Sequence, residues 1–379
     1  MTHPVSAGWV FSLEYTKMPL KPFLTFNQQA ELLVNRGMSS INGMPRQDLV
    51  STIEGDLTFI NYYRFSAYWY PFYLENQSGE KIFLFGPDTY WETVRSFYMF
   101  DRRLRRLMFD AISRIEIALR TQIAYIWAKR TGVSDPQREA KNYRTKFTKG
   151  KKDPTTKQLR KSPYMGLLEI VDDYYKKNRH SFTEKFTRTS AQHAKDLPIW
   201  EFVEYATFGN LATLLEQGLP LHIVDEIANV FGFPNRDGFL SCVALLKEVR
   251  NACAHHGRLW NKTWTHAQEK LQSNGSTKLN VLDILKKLSF PEWDYVWDGT
   301  SLRWRRPRKG EKGVLLHAAK NRTSAVLTVC NILLKAAASR SHWKDRLCDL
   351  LTNQDAPLPD MYVHLGFTTT HWHEHPLWK

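Results

Sequence analysis

The stretch Arg250–Asn261, RNACAHHGRLWN, brings two guanidiniums, two imidazoles and two carboxamides together at the end of an apolar run. Arg250 brings a guanidinium, a cation that holds phosphate, and His255, five residues on, an imidazole, the side-chain type most used to exchange protons. That pairing suits phosphodiester chemistry. Cleavage of RNA by internal transesterification uses the ribose 2′-hydroxyl as nucleophile and needs no metal-bound water. It needs a group that exchanges protons, which an imidazole supplies. It also needs a cation on the pentavalent phosphorane, and a guanidinium supplies that with two parallel hydrogen bonds. Arg250 and His255 are the candidate pair, with Asn251 beside them; spacing alone does not choose between His255 and His256.

Helix geometry constrains the pair. Five residues at about 100° each leave Arg250 and His255 about 140° apart around one axis. Either the helix loosens before Gly257, or two copies of the segment converge across a dimer. Gly257 stands where a C-cap is expected, which puts His255 in the last turn, where the helix dipole favours a cationic imidazole. The plainer alternative is that Arg and His here only bond the last free carbonyls of a helix.

The elements that must position these residues read as helices. Thr25–Gln28 is a capping-box pattern opening a helix that closes near Gly37. A second helical zone covers residues 46–74, and its aromatic cluster, Phe59 to Phe72, fits a core better than a base-stacking surface. Lys81–Phe85 is a strand signal that suggests a small hairpin. The longest helix is predicted from about Asp88 to Lys129, opened by a Thr89–Glu92 box and closed by Gly132. Leu104, Leu107, Met108, Ala111, Ile112, Ile115, Leu119, Gln122, Ile123 and Ile126 give it one core face. Arg102–Arg106 read as surface, and Glu116–Arg120 as an i,i+4 pair. Further helices are expected over 163–180, 197–215 with a break at Phe208–Asn210, 221–231, 236–253, 315–339 and 343–351.

Two basic stretches stand apart. Residues 138–161 hold ten Lys/Arg against two acidic residues and read as an exposed, mobile insertion able to grip an RNA backbone through Lys146, Lys149, Lys151, Lys152, Arg160 and Lys161. Residues 291–312 read as a loop mixing Trp with Arg303, Arg305 and Arg306, further RNA-binding candidates. His371, His373 and His375 lie in what reads as a surface tail, not a metal site. The expected organisation is an arm (1–22), an N-terminal helical and aromatic region (23–86), a helical core (87–290) and a C-terminal helical region with the tail (291–379).

Bulk properties agree. The 379 residues are 42% hydrophobic and 13% aromatic, with a formal net charge of +15. Such a chain folds, and its charge points to a polyanionic partner. The four cysteines are widely spaced with no C-x-x-C pair, so neither a zinc knuckle nor a disulfide framework is expected. No signal-peptide pattern opens the chain, and no run of about 18 apolar residues occurs. A reduced, cytoplasmic protein is the expectation.

The motif residues resemble the Arg-x4-His signature of the HEPN superfamily, including the Asn after the Arg. The wider chain is similar to bacterial abortive-infection proteins of the AbiD/AbiF kind. The resemblance runs through residues 21–37, 59–72, 100–125, 197–209, 249–261 and 366–378. It implies a mostly α, HEPN-like helical bundle with additional N- and C-terminal helical segments and at most a small hairpin. It also implies a homodimer that pairs two motifs, a metal-independent ribonuclease defending against phage, and a small non-coding RNA as regulator. Arg250 and His255 match the signature with Asn251 in support. His256, Arg258, Arg114, Glu116 and Arg120 fall on matching positions of less defined role. The basic insertion has no fixed counterpart. RNA and a second copy are thus the expected partners, with no cofactor, metal or membrane. The competing readings are an RNA-binding protein that scaffolds a structured RNA without cutting it and, more distantly, a DNA-binding regulator.

Overall fold

A computed structural model describes residues 22–150, 155–156, 159–177, 192–233, 236–264, 296–298, 303–305, 323–352, 361–368 and 370–378. The expected arm, Lys151, Lys152 and Arg306 therefore lie outside the described residues, save Pro22 at the arm's end. The fold is mostly α. Contacts divide the chain into two units, Met1–Arg95 and Ser96–Lys379.

In the first unit, α1 (Phe26–Asn35) opens on the predicted box: Thr25 Oγ1 accepts from the Gln28 amide and Gln28 Oε1 from the Thr25 amide, at 3.2 and 2.9 Å. Helix α2 (Arg46–Phe59) buries Leu49, Val50, Ile53 and Leu57, the three-and-four spacing of one apolar face. Helix α3 (Tyr62–Trp69) starts where the Asn61 side chain accepts from the Tyr63 amide. The aromatic run sorts by face: Phe65, Tyr68 and Trp69 are buried, whereas Phe59, Tyr63 and Tyr70 are exposed. Strand β1 (Tyr73–Glu75) pairs antiparallel with β2 (Lys81–Phe85), Tyr73 opposite Phe85, around a turn in which Gly79 takes φ +78°. The hairpin was legible in the sequence.

Helix α4 (Trp91–Thr131) begins in this unit and continues in the second. Its predicted capping box does not form. Thr89 Oγ1 donates to the Gly86 carbonyl, and the Glu92 carboxylate accepts from Ser40 Oγ and the Ile41 amide. The box residues are taken by partners outside the helix.

In the second unit the α4 face bearing Leu104, Met108, Ala111, Ile112, Ile115, Leu119, Ile123 and Ile126 is buried as predicted, whereas Leu107 and Gln122, expected on the same face, are half-buried at its edges. The basic stretch that follows is not a mobile insertion where it is described. The single turn α5 (Thr145–Thr148) and two short 3₁₀ turns bury Tyr143 and Phe147, and the Tyr143 ring packs with those of Phe147, Trp127 and Tyr164. Two aromatics among the lysines were the missed signal: they need a core, and the charges stay on the outside.

Helix α6 (Pro163–Lys177) precedes α7 (Ile199–Tyr205) and α8 (Phe208–Thr213). The break falls at Ala206–Thr207, two residues before the predicted place, because Thr207 caps α8 in a box with Asn210. Helix α9 (Leu221–Val230) and α10 (Arg236–Ala254) follow. Strands β3 (Val296–Asp298) and β4 (Arg303–Arg305) pair antiparallel where a loop was expected.

Helix α11 (Thr323–Ala337) is buried on every side from Thr323 to Leu334, which makes it a core helix of its unit. Helices α12 (Trp343–Thr352) and α13 (Met361–Leu365) complete the order. The tail is not a surface tail. Trp372, His375 and Trp378 are buried, with Trp372 stacked on Phe367 at 4.5 Å and set edge-on to Trp378 at 4.6 Å. Burial pushes the His375 imidazole down to about 4, and its Nδ1 accepts from the Leu377 amide. Indole rings spaced along a basic tail carry enough apolar surface to fold back into a core. No helix is long and apolar enough to cross a membrane among the described residues.

Candidate functional site

Helix α10 carries Arg250 and Asn251 on its last turn and ends at Ala254, just before the histidines. It buries Phe239, Cys242, Leu245, Leu246, Val249 and Cys253 along one face, so its ending is fixed by packing. The helix does not loosen before the histidines: the His255 amide still donates to the Asn251 carbonyl at 2.9 Å. On a regular helix, the geometry that this last bond continues one residue past Ala254, positions 250 and 255 stand about 140° apart around the axis.

The chain then reverses through a Schellman turn. The His256 amide donates to the Cys253 carbonyl at 3.1 Å and the Gly257 amide to the Ala252 carbonyl at 2.7 Å. The left-handed position at this helix end belongs to His256, with φ +56°, and not to Gly257 as the sequence suggested. Gly257 serves a different need, since a Cβ there would stand 3.1 Å from the Ala252 oxygen. Asn251, His255 and His256 are exposed, and Arg250 and Arg258 half-buried. Arg250 Nε is buried and, among the described residues, has no hydrogen-bond partner.

The exit from the turn is anchored on α4. Asp101, completely buried, accepts from the Leu259 amide at 3.0 Å and the Trp260 amide at 2.6 Å. Arg105, only 6% exposed, pairs with Asp101 and donates to the Gly257 carbonyl at 3.3 Å. From α11, Thr323 Oγ1 donates to the Leu259 carbonyl at 2.8 Å. Arg105 thus corrects the surface reading of Arg102–Arg106. The signal was present: Asp101 and Arg105 continue, at steps of four, four and three, the row that runs from Phe97 to Met108, both buried.

The remaining sequence candidates are distributed over the same unit. Glu116 and Arg120 form an ion pair at 2.6 Å, more enclosed than a surface pair, and Arg120 also donates to the Val203 and Ala206 carbonyls at 3.0 and 3.1 Å. That fastens α4 to the end of α7. Arg114 is a surface residue paired with Asp110, which also takes Arg346. No hydrogen bond or ion pair among the described residues links Arg114, Glu116 or Arg120 to Arg250 or His255. Lys146, Lys149 and Arg160 are exposed, and Lys161 pairs with Glu169. Arg303 and Arg305 lie on β4, opposite Asp298 and Val296 in register. Among the described residues no group of three or more His, Cys, Asp or Glu could hold a metal ion. Burial pushes the thiols of Cys242 and Cys253 up to about 12, so both stay uncharged in the core.

These features define a mostly α-helical protein whose motif helix ends in an anchored turn presenting two imidazoles. The family model described as Abi-like protein matches residues 56–261, a span that includes Asp101, Arg105 and the whole motif. The chain belongs to the Abi-like protein family. No curated protein and no solved structure matches it.

Proposed function

We propose that this is an abortive-infection phage-defence protein of the AbiD/AbiF kind, acting as a HEPN-type, metal-independent endoribonuclease regulated by a small non-coding RNA. The reading rests on one observation. The helix end carrying Arg250 leaves His255 and His256 exposed in an anchored turn, while Arg250 Nε is buried with its donor unspent. A buried donor without a partner costs free energy, roughly 1–3 kcal/mol, and a phosphate oxygen satisfies it. In this scheme the 2′-hydroxyl attacks the adjacent phosphorus and releases its proton to water, Arg250 stabilises the phosphorane, and the His255 imidazolium gives its proton to the departing 5′-oxygen, with Asn251 holding the substrate. The 5′-oxygen leaves, and the product is a 2′,3′-cyclic phosphate.

Because Arg250 and His255 do not share a face on one regular helix, the proposed site takes Arg250 from one copy and His255 from another in a homodimer. The same geometry favours a second reading, in which the protein binds and scaffolds a structured RNA without cutting it. The purified protein incubated with RNA in excess chelator separates the two. Cyclic-phosphate products that vanish in Arg250→Ala and His255→Ala support cleavage; full cleavage by Arg250→Ala removes the assignment. Salt-sensitive RNA binding without products establishes the scaffold.

A further inference from the structure

The chain leaving the histidine turn is held by its backbone, and the side chains that hold it are charged and buried. We propose that Asp101 and Arg105 are positioning residues of the candidate site: from α4 they fix the backbone of Gly257, Leu259 and Trp260, and so set where His255 and His256 stand. The inference rests on the ribonuclease reading for its catalytic consequence, though not for the geometry.

Cost is the first argument. Taking a carboxylate and a guanidinium out of water is expensive, and a well-packed apolar pair is often as stable or more so. Asp101 and Arg105 occupy an otherwise apolar row on α4, so core stability alone does not call for them. Their hydrogen bonds account for them. Asp101 accepts from two amides as well as from Arg105, and Arg105 reaches the Gly257 carbonyl.

Place is the second argument. Gly257 follows His256 directly, and His256 sits in the left-handed conformation, which a non-glycine side chain holds only when its surroundings require it. On one side the turn is fixed by α10, whose apolar face is packed; on the other it is fixed by this clamp. Trp260, at the end of the clamped segment, packs its ring against Phe97 at 4.3 Å, so the anchor continues into the core. Neither charged residue needs to reach substrate to matter, because a misplacement of about 1 Å can cost about a hundredfold in rate.

The test uses the full-length protein with ¹³C-labelled histidine and the variants Asp101→Asn and Arg105→Lys. Asp101→Asn keeps an oxygen for the two amides and loses the charge; Arg105→Lys keeps the charge and loses the fork. Two readouts are taken: the ring signals of His255 and His256, assigned by His255→Ala and His256→Gly, and kcat and KM for a labelled RNA. The expected result is that both signals move or split in Asp101→Asn, and that kcat falls about tenfold to a hundredfold with KM within about twofold. Arg105→Lys should give a smaller change in both. Ring signals unmoved in both variants overturn the positioning role, whether or not the protein cleaves RNA. Signals that move while kcat holds also overturn it for catalysis. A wild-type protein that yields no cleavage products overturns the ribonuclease reading and the catalytic part of this one, and the ring signals still decide the geometric part. Should Asp101→Asn fail to fold, Arg105→Lys is read by the same signals.

Discussion

His256 occupies the backbone position at the end of α10 that ordinarily goes to glycine, and this makes a clean experiment possible. His256→Gly supplies the residue that the left-handed conformation favours, so the turn persists and only the imidazole is lost. If His255 transfers the proton, His256→Gly cleaves RNA within a fewfold of wild type while His255→Ala loses about a hundredfold or more. The reverse pattern assigns the role to His256. Gly257 gives a structural counterpart. In Gly257→Ala the new Cβ meets the Ala252 oxygen at 3.1 Å, a backbone atom that cannot rotate away, so stability should fall by about 1–3 kcal/mol on urea unfolding. An unchanged midpoint would show that the turn is looser than described. The sequence made this motif visible by residue type and spacing. It could not assign the left-handed position, because His-His-Gly offers two candidates and only the hydrogen bonds to Cys253 and Ala252 separate them.

Element by element, long apolar periodicities were legible and polar residues embedded in them were not. The α4 core face, the α1 capping box and the β1–β2 hairpin follow from local patterns, which depend on neighbours in sequence. For Glu92, Asp101 and Arg120 the cause is the same: partners distant in sequence, which local spacing does not show. Glu92 was drawn to Ser40 and Ile41, Asp101 to Leu259 and Trp260, and Arg120 to Val203 and Ala206. Arg114 and Arg120 therefore make a useful contrast, since each makes an i,i+4 pair and only the second was read from the sequence. Arg114→Ala removes a largely exposed pair and should cost no more than about 1 kcal/mol. Arg120→Ala leaves a more enclosed Glu116 and two carbonyls without their donor, and should cost about 2–4 kcal/mol. Equal urea midpoints for the two variants would contradict the assigned roles.

For the whole molecule, charge and the folded tail matter most. The net charge of +15 predicts RNA binding that weakens steeply with salt, by about 0.7 in the log–log slope for each phosphate neutralised on a single strand. Replacing the exposed Lys146 and Lys149 together should flatten that slope by about 1.4 if both contact phosphate; an unchanged slope places the RNA elsewhere.

The buried His375 predicts acid sensitivity. Its pKa is lowered from 6.5 to about 4 in the folded protein, so between those values the unfolded chain binds a proton that the folded chain does not. Its contribution to stability is present above pH 6.5 and is lost as pH falls towards 4, on the order of 3 kcal/mol in all. His375→Asn should show a shallower decline of the unfolding midpoint across that range, and an identical decline would assign the acid sensitivity to other groups.

In the proposed site Arg250 and His255 act together from two copies, and mixing inactive variants probes that pairing. Arg250→Ala and His255→Ala are each inert in this account, with their fold intact. Co-refolded or co-expressed, they form heterodimers in which one site holds Arg250 from one copy and His255 from the other. The account predicts that RNA cleavage returns to a substantial fraction of wild-type activity in the mixture and follows the heterodimer through purification. A purified heterodimer with no activity, beside an active wild-type dimer, would contradict it.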